Sequence, residues 1–125
     1  MPPYGEALGI EAGRDADGRL VLTLPFGEHV RGRPGFLHGG AIAGLLEIAA
    51  FATLREALGE ERDVAIKPIT VTADFMRGGH ERPTFAAATV TRLGRRIANV
   101  EGFAWQEDEA RPIAAARLNM LLERR

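Results

Sequence analysis

Between Gly39 and Leu54 every residue is apolar or glycine except Glu47 and Thr53, and this stretch limits the folds open to the chain more than any other. Rich in Ala and Leu, it reads as a helix from about Gly39 to Leu58, closed by Gly59 as a C-terminal cap. The apolar run is shorter than the roughly 20 residues a membrane-spanning helix needs, and a glutamate interrupts it. A helix that is apolar all the way round is expected to be buried. The rest of the 125 residues must therefore cover it.

The flanking sequence supplies strands. Residues 8–26 read as a hairpin: Leu20, Leu22, Leu24 and Phe26 alternate with Val21, Thr23 and Pro25, and Asp15-Ala16-Asp17-Gly18 makes the turn. Gly27 to Gly35 is too dense in Gly and Pro for regular structure and reads as a loop. After the helix, Ile69, Val71, Ala73 and Phe75 alternate with Thr70, Thr72, Asp74 and Met76, the pattern of a half-buried strand. Further strands follow at 84–92, 95–106 and 111–122, separated by short polar turns. The layout predicts one α+β domain over residues 1–125, with an antiparallel sheet wrapped around one long central helix.

Composition removes several functions. The net charge of −1 gives no field to draw nucleic acid or an anionic membrane, so neither is an expected partner. Without cysteine there is no disulfide framework, thiolate nucleophile or thiolate metal site. His29, His38 and His80 lack metal-ligand spacing, so neither a metal nor any other cofactor is expected. The start, Met1-Pro2-Pro3-Tyr4-Gly5-Glu6, is not a signal peptide. A soluble cytoplasmic protein is the expectation.

That leaves Glu47, a lone carboxylate on an apolar helix. Ala43, Gly44, Ala50 and Phe51 neighbour it one turn away, and three of these are small. An unpaired buried carboxylate is costly, which leaves two readings: an ion pair to an arginine, or a catalytic acid, base or nucleophile. At the helix entrance stands His38-Gly39-Gly40. The first amides of a helix lack intrahelical partners and lie at the positive end of its dipole, so the Gly39 amide, with Gly40, could stabilise an oxyanion. Gly39 and Glu47 are eight residues apart, about 12 Å along a helix at 1.5 Å per residue. One reacting carbon does not readily sit against both on the same helix. Two antiparallel helices about a two-fold axis would bring one chain's entrance to the other's glutamate.

From Phe36 through His38-Gly39-Gly40 to Glu47 the chain resembles the PaaI-like (phenylacetate-degradation type) hotdog thioesterases. Phe75-Met76-Arg77-Gly78-Gly79 and Arg92-Leu93-Gly94-Arg95-Arg96 resemble the strand end and the Gly-Arg turn of that family, and the likeness covers about residues 18–122. The resemblance implies a hotdog fold, homodimers that pair into homotetramers, sites shared between subunits, and hydrolysis of acyl-CoA. It also implies that Glu47 is the catalytic carboxylate, acting as base or nucleophile beside His38, Gly39 and Gly40. Candidate CoA-phosphate ligands are Arg77, Arg95 and Arg96; Phe51, Leu54 and Phe75 are candidates for the acyl pocket or for core. Two positions depart from the family: Gly32 stands where many relatives have Asn or Gln, and Phe51 where some have a hydroxyl residue. The alternatives are an acyl-CoA-binding protein without catalysis, and a dehydratase or hydratase of acyl thioesters. The latter chemistry pairs a catalytic His with a carboxylate, and only His38 is near Glu47.

Overall fold

The computed structural model describes residues 1–61 and 63–124. A short helix α1 (Pro3–Leu8) precedes strands β1 (Glu11–Arg14) and β2 (Leu20–Leu24). The long helix α2 (Gly39–Ala57) follows, and then β3 (Val64–Phe75), β4 (Thr84–Leu93), β5 (Ile97–Trp105) and β6 (Ala114–Arg124). All six strands form one antiparallel sheet in the order β1-β2-β4-β5-β6-β3. This is the architecture expected from the sequence, with two elements added: α1, and a single 3-10 turn at Glu28–Val30 within the segment expected to be irregular loop. Helix α1 carries Pro3 in its first turn and ends at Gly9, whose φ is +77°, the usual pairing of proline at a helix start with glycine past its end.

Helix α2 lies across the sheet, mainly over β4 and β5. The strands present small residues where it crosses: Ala86, Gly102, Ala104, Ala114 and Ala116 are all buried. Their size lets the helix approach closely. A Cβ built on Gly102 would already stand 3.4 Å from Leu46. Leu45, Leu46 and Leu54 fill the space between helix and sheet at 0–1% exposure, each such side chain contributing about 1.5–3 kcal/mol. Gly59, at φ +59°, stands just past the helix end, as its glycine predicts. Among the described residues no helix is long and apolar enough to cross a membrane.

Two expectations need correction, and both concern one side of the molecule. From Ile69 onward strand β3 is not half-buried. Its register against β6 shifts between Pro68 and Thr70, so Ile69 falls in an irregularity and the residues after it change face. Val71 and Phe75 pair with the buried Leu118 and Ala114, yet they are 42% and 53% exposed because α2 barely reaches this strand. Being last in the sheet, β3 also has an unpaired outer edge. The second correction is to α2, which is not buried on every side: Ala43, Glu47 and Phe51 are each only half-buried.

Candidate active site

The helix entrance is assembled by backbone bonds. The Gly32 amide donates to the Phe36 carbonyl at 2.9 Å, folding residues 31–37 back on themselves. The Leu37 amide donates to Gly79, and the His38 amide to Val30 at 2.8 Å. His38 thus arrives at the first turn of α2 in extended conformation and serves as its N-cap. Its Nδ1 accepts the Gly40 amide at 2.9 Å, while its carbonyl accepts the amides of Ala41 and Ile42. A histidine bonded in this way carries its neutral-state proton on Nε2.

The amides of the first turn are therefore not equivalent. Gly40 is held by the cap, whereas Gly39 has no hydrogen-bond partner among the described residues. Gly39 opens into a groove of about 530 Å³ whose walls include Phe36, Leu37, Ile42, Phe75 and Arg77. The Phe75 ring borders the amide, 3.6 Å from where a Cβ on Gly39 would stand. The Phe36 ring rests on Gly78, where a Cβ would come within 2.7 Å of it. The guanidinium of Arg33 lies 4.3 Å from the Phe36 ring centre. Arg33 escaped the sequence reading because an arginine in an irregular loop carries no periodic signal.

Glu47 is not among the groove's lining residues. It takes part in no hydrogen bond or ion pair among the described residues, so none of the described arginines is the partner that one reading required. Its side chain is half-exposed on α2.

The other candidates separate. Arg77 joins the groove at the helix entrance. Arg95 and Arg96 line a different groove of about 680 Å³, with Leu121 and Arg124. The strand register puts these two grooves at opposite ends of the sheet, since Phe75 pairs with Ala114 and Val64 with Arg124. Leu54 is fully buried in the core, and so has no surface to offer a ligand. Phe51 is half-buried against the core, with the Arg55 guanidinium 5.9 Å from its ring centre. Gly32 sits against the entrance itself: a Cβ there would stand 3.0 Å from His38 Cα and 3.2 Å from the Leu37 carbonyl oxygen.

The sequence profile of the thioesterase superfamily matches residues 34–113, which span the His38-Gly39-Gly40 entrance, Glu47 and the strands behind them. The chain belongs to the thioesterase superfamily. A solved Chromobacterium violaceum protein is 34% identical over 97% of this chain and 83% of its own, with a TM-score of 0.76. A Haemophilus influenzae thioesterase is 24% identical over 97% of this chain and 82% of its own, with a TM-score of 0.83. A Bacillus halodurans protein solved with CoA is 20% identical over 100% of this chain and 81% of its own, with a TM-score of 0.86. No curated protein matches the sequence. The sheet around one long helix is the hotdog fold of thioesterase-superfamily structures.

Proposed function

We propose that this member of the superfamily hydrolyses acyl-CoA thioesters, on the PaaI-like pattern, with Glu47 as the catalytic carboxylate and the Gly39 amide as the oxyanion donor. The observation that carries the reading is a pair of groups on one helix, the Gly39 amide and the Glu47 carboxylate, that have no partner among the described residues. In a superfamily defined by thioester chemistry, a carbonyl oxygen at Gly39 would be polarised by the amide and the helix dipole. Glu47 then either takes a proton from a water that attacks the carbonyl carbon, or attacks that carbon itself to form an anhydride that water opens. On either route the C–S bond breaks, and the thiolate of CoA leaves and takes up a proton. The CoA bound to the Bacillus halodurans relative supports the choice of leaving group.

The separation of about 12 Å along the helix calls for a second copy of the chain. The outer edge of β3, which is last in the sheet, its exposed Val71 and Phe75, and the half-exposed Glu47 are the surfaces such a contact would use. A two-fold axis there would set the helices antiparallel, each entrance beside the partner's carboxylate. The same axis reverses the ends of the sheet. Arg77 of one chain would then share an end with Arg95 and Arg96 of the other, where together they could receive the phosphates of CoA. Gly32 favours a second reading, binding of acyl-CoA with little turnover, because no side chain from that position can hold the carbonyl or the water.

The deciding experiment is Glu47→Gln, which preserves shape and removes the charge. Turnover of a CoA thioester is expected to fall by at least about 10² while binding survives. Undiminished turnover would remove the proposal, and a wild-type chain that binds acyl-CoA but releases no thiol would establish the second reading.

A further inference from the structure

Helix α1 packs on α2 at Gly44 and Ile48, the positions that bracket the candidate carboxylate in sequence, and the contact at Gly44 depends on its being a glycine. A Cβ on Gly44 would stand 2.8 Å from Cε2 and 3.1 Å from the hydroxyl of Tyr4, and 3.3 Å from Leu8. Only a residue without a side chain lets the Tyr4 ring and its hydroxyl rest on the backbone of α2 here. Tyr4, the one tyrosine of the chain, is nonetheless 54% exposed. Its phenol has no hydrogen-bond partner among the described residues. Packing alone accounts poorly for it: half the ring is in water, and the hydroxyl lies against a helix surface without bonding to it.

Glu47 is three residues beyond Gly44, so the two positions adjoin on the helix surface, about 5–6 Å apart at Cβ. Helical side chains lean back toward the preceding turn. A Glu47 side chain that follows this lean passes over Ala43 and Gly44, and Gly44 is where the Tyr4 hydroxyl rests. Two polar groups without a hydrogen-bond partner among the described residues, the Glu47 carboxylate of α2 and the Tyr4 hydroxyl of α1 resting on Gly44, thus belong to the same stretch of the α2 surface.

We infer that Tyr4 is a positioning residue for Glu47: its hydroxyl donates to the carboxylate and fixes the oxygen that faces the thioester. The inference rests on the reading of Glu47 as catalytic. A phenol from α1 would supply a polar anchor to a site that lacks a side chain at Gly32 and a hydroxyl at Phe51. It also gives α1 a use beyond covering Ile48.

The test is Tyr4→Phe, which keeps the ring on Gly44 and removes the oxygen. The expected result is kcat lowered about tenfold, the loss of one hydrogen bond to a charged group, with KM within twofold and thermal stability unchanged. The same substitution in a Glu47→Gln background, followed by single turnovers with excess enzyme, should produce no further loss, because coupled residues are not additive. Unchanged kcat in Tyr4→Phe overturns the inference, as does a loss accompanied by a lower melting temperature. An equal loss in both backgrounds also overturns it, since Tyr4 would then act on something other than Glu47. If Glu47→Gln is fully active, the catalytic reading of Glu47 fails instead, and that result is visible before Tyr4 is altered.

Discussion

The Gly40 amide donates to Nδ1 of His38 at 2.9 Å, and this bond makes His38 the N-cap of the central helix. His38→Ala should therefore cost about 1 kcal/mol of stability and lower turnover as the first turn loosens. His38→Asn supplies another capping side chain and should restore both. Chemical denaturation and steady-state kinetics of the two variants check this. If Asn restores stability but leaves turnover at the Ala level, the imidazole itself contacts the substrate.

Gly39 and Glu47 stand about 12 Å apart on one helix, so the proposed site draws one group from each of two chains. Glu47→Ala and Gly39→Leu, each inactive alone, can be unfolded and refolded together after each is shown to fold and dimerise. Half the dimers are then mixed, and each mixed dimer carries one intact site of two. Recovery of about a quarter of wild-type activity is expected. Background activity in verified mixed dimers would mean that both groups act within one chain.

Arg77 and the Arg95–Arg96 pair occupy different grooves of the same chain. If a two-fold axis brings them to one substrate, replacing either with Ala should raise KM for a CoA ester about tenfold or more, the loss of charge-assisted contacts. A pantetheine thioester without the nucleotide phosphates should be far less affected. Equal changes on both substrates would assign these arginines to structure.

Gly32 cannot simply be changed to the amide residue of relatives. A Cβ there presses on the His38 backbone at 3.0 Å, and Gly32→Asn is expected to destabilise the fold by about 1–3 kcal/mol, as overpacking does, with lower turnover. Urea unfolding measures the first effect and thiol release the second. A faster enzyme of unchanged stability would show that the entrance has room for the amide.

The central helix was legible because both of its ends are marked locally, by His38-Gly39-Gly40 and by Gly59, and because its apolar run is continuous. The strands were legible from their alternation, although β3 begins at Val64, ahead of the alternating run from Ile69. Helix α1 could have been read from Pro3 and Gly9, but six residues offer too little periodicity to draw attention. The exposure of β3 runs against its alternation for a different reason: Val71, Ala73 and Phe75 share a face with the buried Leu118, Ala116 and Ala114, but α2 barely reaches this strand, and alternation does not say whether a helix will cover the face it defines.

The sequence by itself determined the elements, the carboxylate at Glu47 and the paired glycines at the helix entrance, since each depends on neighbours within a turn or two. Only the tertiary structure decided which groups are free. Gly39 rather than Gly40 has the open amide because the His38 side chain turns back onto Gly40. Among the described residues Glu47 has no arginine partner; the described arginines that form ion pairs are engaged with other carboxylates. Arg95 and Arg96 stand away from Arg77 because antiparallel register sends the two turns to opposite ends of the sheet. Local chemistry follows from residue order; exposure and pairing depend on where distant segments come to rest, and spacing along the chain does not carry that information.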